Sequence, residues 1–256
     1  MVLDVPLPTE TLSTFLLVLA RCSAWVLVVP LFSARGIPPI ARLALAVALA
    51  VFLTPLYPDT PTAADTGEFV LAAMGQVAIG LALGLLTAIV LSAVEVAGGL
   101  ADLASGFSYG AMLDPVSGAQ SAAFARLTSL TFIALLFVTE GYQSIIAGFA
   151  RSFSALPLDH VPTLSSGADE VLGAAVSGVF VAALQIGAPM LGVLFLTEVA
   201  LALAARFVPQ ANAMTVGLPV KALVAMSAAG GMLAVLPSQV PALVDSASQI
   251  GGSVLR

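Results

Sequence analysis

The stretch 40–53, IARLALAVALAVFL, decides the fold class of this chain of 256 residues, because its apolar residues do not alternate with polar ones. The strands of a membrane barrel would alternate over segments of about ten residues. A helix instead needs about 20 mainly apolar residues to cross a hydrocarbon core of about 30 Å. The apolar run continues to residue 57, so we predict a membrane-type α-helix here.

Five other stretches have the same character, and the composition agrees: 60% of the residues are apolar, 9% are charged and the mean hydropathy is +1.10. Soluble proteins are about half apolar and about a quarter charged. We therefore predict an all-α integral membrane protein with helices in 12–32, 40–57, 69–97, 127–150, 171–205 and 213–236. The third and fifth segments are longer than one crossing needs, and Pro189 lies in the fifth, so we expect these helices to be bent or broken.

The charge and the rare residue types exclude several kinds of partner. The net charge of −6 comes mainly from acidic connections. This argues against binding of nucleic acid and against binding of anionic lipid through a cluster of basic residues. The one cysteine, Cys22, cannot form an internal disulfide and is expected to be a small core residue. With one histidine and no C-x-x-C or phosphate-loop motif, we expect no metal and no cofactor. The first ten residues carry no Lys or Arg, so we expect the first helix to be retained rather than cleaved as a signal peptide.

Basic residues set the expected orientation in a membrane. The first, third and fifth connections carry Arg35 with Arg42, Arg126, and Arg206 with Lys221. The second connection carries no basic residue, and the fourth carries Arg151. By the positive-inside rule the odd connections face the cytoplasm, so both termini are expected on the outer side.

Apart from the basic residues assigned to connections, five charged residues stand out: Arg21, Glu95, Glu140 and Glu198 lie inside the apolar segments, and Asp102 lies five positions after the third one. A charge at the bilayer centre costs about 2.5 to 3.5 kcal/mol on insertion scales, so each of them needs a partner, a proton or water. Glu95 and Asp102 are seven positions apart, which places them on one face if the helix is continuous. They could line an aqueous path, or one or both could lie at a helix end or be neutral.

Glycines recur in the third and fifth segments, at positions that include Gly80, Gly84, Gly178 and Gly192. Without a side chain they let neighbouring helices approach closely. The partner helix could belong to this chain or to another subunit, and the sequence leaves both interpretations open.

Residues 106–110, GFSYG, match the G-x-S-x-G spacing of a hydrolase, with Ser108 as the nucleophile and His160 as the base. A hydrolase elbow needs a strand before the serine, and an all-α chain offers none. His160 lies between two prolines in a polar connection, with no helical periodicity that would direct its ring toward Ser108. These residues disfavour an intramembrane serine protease, and we expect no enzymatic activity.

The segment 106–120, GFSYGAMLDPVSGAQ, separates two apolar helices with glycines and an Asp-Pro pair. It is nevertheless too apolar for a free surface loop, and irregular backbone at membrane depth is tolerated only inside protein or beside a watery cavity. Two interpretations fit: a movable plug that blocks water and ions, or a static re-entrant packing loop. The candidate sealing residues are Gly106, Phe107, Tyr109, Gly110, Met112, Leu113, Asp114 and Pro115.

Three stretches carry a resemblance to a known family: 30–55, PLFSARGIPPIARLALAVALAVFLTP; 101–120, ADLASGFSYGAMLDPVSGAQ; and 205–224, ARFVPQANAMTVGLPVKALV. In this order, and over nearly the whole chain, the sequence resembles the flagellar FliR family of type III secretion export-gate subunits, whose virulence-system members are of the SctT type. The third stretch is the most specific, with an R-x-x-P-Q-x-N, G-x-P-x-K pattern formed by Arg206, Pro209, Gln210, Asn212, Gly217, Pro219 and Lys221. Ala213 and Met214 depart from the pattern, because bulkier apolar residues are common there.

The resemblance implies a non-enzymatic subunit that joins FliP-like and FliQ-like subunits in a helical hetero-oligomer, through which unfolded flagellar proteins leave the cytoplasm. It implies one membrane domain, 1–256, with FliP-like helices in 1–165, a pore plug at 106–120 and a FliQ-like helical hairpin in 166–256. The motif 206–221 would form the cytoplasmic tip of this hairpin, where Pro209 and Pro219 would end helices.

The resemblance also implies surroundings for the chain. Further partners would be FlhB-like and FlhA-like export proteins and membrane lipid. The location would be the bacterial inner membrane within the flagellar basal body, with periplasmic termini. Much of such an assembly rises out of the bilayer, so partner subunits rather than lipid would bury many of the apolar helices.

Two other functions stay open at this point. The first is a virulence-type export-gate subunit of the same family. The second is a self-contained secondary transporter, which broken helices and buried acids would suit, although two matched halves are not evident in the sequence.

Overall fold

The computed structural model describes residues 9–33, 37–57, 66–108, 122–158, 168–207 and 213–254, and these residues contain helices and no strand. The predicted all-α class is therefore confirmed. The helices are α1 Thr9–Val28, α2 Pro30–Ser33, α3 Pro39–Leu53, α4 Thr66–Leu91, α5 Ala93–Ser105, α6 Ala123–Val138, α7 Gly141–Ala155, α8 Ala168–Phe207 and α9 Ala213–Val254. A short 3₁₀ turn, Thr54–Leu56, follows α3.

Five helical stretches in the described part are long and apolar enough to cross a membrane, and the pair α6 and α7 makes a sixth if it counts as one broken span. The five are Thr11–Val28, Pro39–Leu56, Thr66–Leu91, Leu172–Phe207 and Gly217–Gln249. The prediction of about six apolar segments is confirmed.

The helix breaks agree only partly with the sequence. The third predicted segment is broken as expected, because Ser92 separates α4 from α5. The fifth is not broken, since α8 stays helical through Pro189, and its bend stays a prediction. The fourth was expected to be one helix over 127–150 and is interrupted at Thr139 and Glu140, where Glu140 has a φ of 57°. A left-handed residue cannot continue a right-handed helix, so α6 ends there.

The chain divides into two compact units. Unit 1 comprises Met1–Val90, Gln143–Ala175 and Asp245–Arg256, and unit 2 comprises Leu91–Tyr142 and Val176–Val244. Each unit therefore combines segments that are distant in sequence. The division of the chain at residue 165 into a FliP-like and a FliQ-like part is a different division and stays a prediction.

In unit 1, α4 packs closely on α1 through two glycines one helical turn apart. A Cβ added at Gly80 would lie 2.4 Å from the backbone oxygen of Arg21, and one at Gly84 would lie 2.9 Å from Cβ of Val28. Cys22, on α1, is fully buried, which confirms its prediction as a core residue. In the third segment, then, Gly80 and Gly84 serve packing within the chain.

Unit 1 contains a buried charge, Arg21, which is 0% exposed. Its Nε donates to Oε1 of Gln76 at 2.7 Å, and its two terminal nitrogens donate to the backbone oxygens of Ser152 at 3.3 Å and Leu156 at 2.8 Å. The guanidinium also lies 4.3 Å from the ring centre of Phe153, a cation–π contact. The partners that Arg21 was expected to need are thus neutral acceptors, most of them at the carboxyl end of α7.

Candidate functional site

The candidate site in unit 2 is the antiparallel hairpin of α5 and α6, which flanks the segment that the sequence singles out. α5 ends at Gly106, whose φ of 87° is left-handed and whose N–H donates to the oxygen of Leu103. A left-handed glycine is a common way for a helix to end. Gly106, Phe107 and Ser108 are the described residues of the segment 106–120.

Most of the predicted sealing residues lie outside the described residues. These are Tyr109, Gly110, Met112, Leu113, Asp114 and Pro115. His160 lies outside them too. The geometry of the site is therefore that of the two helix ends that hold the segment.

Asp102 joins the two helices. Its carboxylate is 2% exposed, and its two oxygens accept hydrogen bonds from the backbone N–H groups of Phe124 at 3.0 Å and Ala125 at 2.9 Å. Phe124 and Ala125 are the second and third residues of α6, the positions whose N–H groups an N-cap side chain normally satisfies. Ala122, at the N-cap itself, makes no side-chain cap. Asp102 therefore caps α6 from the neighbouring helix.

The backbones of α5 and α6 approach closely one turn away from this cap. A Cβ added at Gly98 would lie 2.4 Å from Cα of Ala125 and 2.4 Å from Oγ of Thr128. The hydroxyl of Thr128 donates within α6 to the backbone oxygen of Phe124 at 2.7 Å, and the backbone oxygen of Val94 on α5 lies 3.3 Å from the same hydroxyl. Only a glycine at position 98 permits this spacing.

An aromatic pair closes the base of the segment. The rings of Phe107 and Phe124 meet edge to face, with centres 5.5 Å apart and planes at 78°. This is a favoured aromatic geometry, worth about 0.5 to 1.5 kcal/mol beyond the buried area. Of the predicted sealing side chains, Phe107 thus contributes to the contact between the two helix ends.

The two predicted acids of α5 lie in different surroundings. The helix is continuous from Ala93 to Ser105, so Glu95 and Asp102 do share one element. Glu95 is exposed, in the first turn of α5, where a negative charge is favourable. Asp102 is buried and both its oxygens are engaged. The role of these acids beside an aqueous path stays a prediction.

The hairpin of α8 and α9 carries the second predicted group of residues. Lys221 forms an ion pair with Glu198, whose side chain is 59% exposed. A Cβ at Gly217 would lie 3.8 Å from Leu201, and one at Gly231 would lie 3.5 Å from Pro189. As the residue numbers rise along α9, the contacted residues of α8 fall from Leu201 through Glu198 to Pro189. The two helices are therefore antiparallel.

The tip of this hairpin is described only in part. Pro209, Gln210 and Asn212 lie outside the described residues, whereas Arg206 is exposed in the last turn of α8, where its charge complements the helix dipole. The expectation that Pro219 ends a helix is wrong, because α9 runs from Ala213 through Pro219. A proline removes one backbone hydrogen bond, and apolar helices of membrane proteins tolerate that loss.

Glycines on the outer side of this hairpin differ from those of α4. A Cβ added at Gly178, Gly192 or Gly230 would meet no atom within 4 Å. These positions are exposed in the described part of the chain. Their packing partner, expected from the sequence, is therefore not a described helix of this chain.

Sequence reasoning missed the helix end that Asp102 caps and the acceptors that Arg21 binds. Cap rules read the residues next to a helix start, whereas Asp102 lies 22 positions before Phe124. Two signals were available: an acid within an apolar helix, and alanines where a cap residue would stand at 122 and 123. Among the described residues, no group of three His, Cys, Asp or Glu side chains is placed to hold a metal ion.

These features define a helical integral membrane protein with a capped hairpin around one connection and a long apolar hairpin beside it. Comparison with known proteins identifies it further. Residues 12–247 match the family model of bacterial export proteins, family 1, and the chain belongs to that family. The resemblance drawn from the three stretches is thereby confirmed.

The relatives are named for flagellar and virulence systems. The flagellar biosynthetic protein FliR of Bacillus subtilis is 31% identical over 211 residues, covering 81% of each chain. FliR of Escherichia coli K12 is 28% identical over 223 residues, covering 87% of this chain and 84% of the relative. The Yop proteins translocation protein T of Yersinia pestis is 25% identical over 217 residues, covering 84% and 83%.

Proposed function

We propose that this chain is a non-enzymatic subunit of the flagellar type III protein export gate, forming with FliP-like and FliQ-like subunits a helical channel for unfolded flagellar proteins. The observation that carries the proposal is the match to FliR proteins over more than four-fifths of the chain. The match includes the hairpin of α5 and α6 and the hairpin of α8 and α9 up to residue 247, since the family model covers residues 12–247.

The length of α8 and α9 supports an assembly with other subunits. These helices have 40 and 42 residues, which corresponds to about 60 Å at 1.5 Å per residue. The hydrocarbon core is about 30 Å thick. Leu172 and Phe207, near opposite ends of α8, are 43% and 81% exposed. Lipid tails cannot cover both at once, so partner subunits would cover at least one end.

The exposure of α9 points the same way. Of the most apolar stretch of α9, only 11% is buried within the chain, against 44% for the corresponding stretch of α1. Together with the open glycines of α8 and α9, this leaves a surface on which FliP-like and FliQ-like helices would pack closely. FlhB-like and FlhA-like export proteins, unfolded substrates and membrane lipid are the further contacts in this proposal.

The segment 106–120 is proposed as the plug of the channel. Its support is the pairing of its two flanking helix ends through Asp102 and Phe107, which brings the start and the end of the segment close together. In this proposal Glu95 borders the path. The chain is an integral membrane protein, and we place it in the bacterial inner membrane within the flagellar basal body, with periplasmic termini and the tip 206–221 toward the cytoplasm.

A virulence-type gate subunit is the second candidate, since a Yop translocation protein is among the relatives. The flagellar assignment is favoured because the FliR of Bacillus subtilis is more similar, at 31% against 25%. Complementation separates the two: the chain should restore motility to a strain that lacks its flagellar relative and should not restore export by a virulence system.

The plug is tested by ion leakage across the inner membrane of cells that co-express the partner subunits. The intact chain is compared with one that lacks residues 110–117, at matched levels of assembled complex. As a control, residues 58–65 are replaced by a glycine–serine linker of the same length. Leakage in the deletion alone would support the plug. A tight membrane with correctly assembled deletion complexes would make the segment a static packing loop.

A further inference from the structure

The outer face of α6 is an apolar stripe with a charge at each end. The exposed apolar residues of this α6 stripe are Leu127, Leu130, Ala134, Phe137 and Val138. Arg126 is exposed as the fourth residue of α6, and Glu140 is exposed directly after its carboxyl end. We infer that the α6 stripe is the docking surface for one apolar helix of another subunit, which runs parallel to α6 and carries an acid near Arg126 and a base near Glu140.

The α6 stripe is separate from the face that α6 uses inside unit 2. Residues three and four positions apart share one face of a helix. The buried residues of α6 follow this spacing, and they are Phe124, Ala125, Thr128, Phe132 and Leu136. The exposed positions 126, 130, 134 and 137 follow it too, on the opposite side. The contacts with α5 therefore leave the whole α6 stripe available to a partner.

Neither charge serves α6 itself. A helix has partial positive charge at its amino end and partial negative charge at its carboxyl end. Arg126 and Glu140 thus each lie near the end whose partial charge repels them. In the described part of the chain, neither side chain has a hydrogen-bond or ion-pair partner. Opposite charges on another subunit would stabilise both.

The length of the α6 stripe favours a protein partner over lipid. Arg126 and Val138 are about 18 Å apart along the helix at 1.5 Å per residue, whereas the hydrocarbon core of a bilayer is about 30 Å thick. Lipid tails against this face would therefore also surround one of the two charges, where an unpaired charge is costly. A helix of another subunit avoids this cost, because its side chains can pair with both charges.

The order of the two charges gives the direction of the partner helix. Helices are stabilised by acids in their first turn and by bases in their last turn. A helix of this kind that runs parallel to α6 places its acid beside Arg126 and its base beside Glu140. An antiparallel one would place like charges together at both ends, which is strongly unfavourable at an interface. The inference rests on the proposed function and adds which face a partner contacts and in which direction it runs.

Photocrosslinking tests the partner and its direction. The chain is co-expressed with the FliP-like and FliQ-like subunits, with p-benzoylphenylalanine in place of Leu127 or of Phe137, and mass spectrometry identifies the crosslinked residues. We expect both probes to reach one helix of a partner subunit. The probe at 137 should reach a residue about ten positions later in the partner sequence than the probe at 127, because parallel helices have the same rise per residue. Crosslinks in the reverse order, to a second copy of this chain, or to lipid alone would overturn the inference.

Charge reversal tests the pairing without changing the apolar residues. The double variant Arg126→Glu with Glu140→Arg inverts both ends of the α6 stripe, and Arg126→Gln with Glu140→Gln neutralises them. We expect recovery of co-purified partner subunits to fall from the intact chain to the neutralised and then to the reversed variant, with the reversed variant lower by roughly tenfold. Glu170→Gln removes an exposed carboxylate elsewhere and should leave recovery unchanged.

The stability of the chain alone separates docking from folding. The reversed variant places an acid near the amino end of α6 and a base after its carboxyl end, which suits the helix dipole. It should therefore unfold in detergent at the same temperature as the intact chain or higher, while it loses its partner. Equal recovery of partner by all variants would overturn the inference and leave the proposed function standing. An intact chain that recovers neither the FliP-like nor the FliQ-like subunit would overturn both.

Discussion

A methyl group added at Gly98 tests the close approach of α5 and α6 most directly. The new Cβ would lie 2.4 Å from Cα of Ala125 and 2.4 Å from Oγ of Thr128, whereas carbon atoms in contact are about 3.5 to 4.0 Å apart. A side chain can rotate away from such a contact, but Cα of Ala125 is part of the backbone. The variant Gly98→Ala must therefore push the two helices apart by roughly 1 Å.

The magnitude follows from three contributions. Overpacking of this kind costs about 1 to 3 kcal/mol. A shift of roughly 1 Å would also weaken the hydrogen bonds from Phe124 and Ala125 to Asp102, and bonds to charged groups are worth about 1.5 to 3 kcal/mol each. Against this, alanine is favoured over glycine in a helix interior by about 1 kcal/mol. We expect Gly98→Ala to lower the free energy of unfolding by about 2 to 4 kcal/mol.

The neighbouring residue supplies the control. A Cβ at Gly99 would meet no atom within 4 Å, so Gly99→Ala gains the helix propensity without the clash and should be as stable as the natural chain or more so. The assay is thermal unfolding of the full chain in detergent. If Gly98→Ala unfolded at the same temperature as Gly99→Ala, the spacing of α5 and α6 and the cap by Asp102 would both be refuted.

Three further predictions concern other parts of the chain. Arg21→Met should destabilise unit 1 strongly, because Gln76 and two carbonyl groups lose their donor at about 1 to 3 kcal/mol each; thermal unfolding measures this, and an unchanged midpoint would contradict the network. A double-mutant cycle on Glu198→Gln and Lys221→Met should give a coupling of only about 0.2 to 1 kcal/mol, because Glu198 is 59% exposed; a much larger value would mean that the pair is buried. Glu140→Gly should stabilise the chain by about 1 kcal/mol by relieving a φ of 57°, and Glu140→Val should do the opposite; equal stability of the two variants would argue against the left-handed conformation.

The helices themselves could be predicted because a hydrocarbon environment demands long apolar runs with internally satisfied backbones. The break at Thr139 and Glu140 was missed because the residues on either side are as apolar as those of a continuous span. Its signals were a single charge followed by Gly141. Proline was a weaker guide than expected: α8 continues through Pro189 and α9 through Pro219.

The contacts of the buried charges could not be predicted, because they join residues that are distant in sequence. Arg21 binds side-chain and backbone atoms 55, 131 and 135 positions away. Sequence reasoning established that each charge needed a partner, and hydropathy alone cannot say which helix end supplies it. The segment 106–120 could be singled out from its glycines and apolar residues. The cap that Asp102 provides to α6 could not, because it depends on how α5 and α6 pack.

Asp102 and Arg21 follow one physical rule although they lie in different compact units. α6 and α7 follow one another across the break at Thr139 and Glu140, and each has its other end inside the protein. The amino end of α6 carries partial positive charge and is capped by the carboxylate of Asp102, while the carboxyl end of α7 carries partial negative charge and is capped by the guanidinium of Arg21. These are the ends farthest from the break at Thr139 and Glu140. A helix end inside the protein leaves backbone groups without a partner in the helix, and an opposite charge satisfies them at each of the two ends. Asp102 and Arg21 therefore lie in apolar helices because each satisfies a helix end inside the protein, and removing either should destabilise its own unit first.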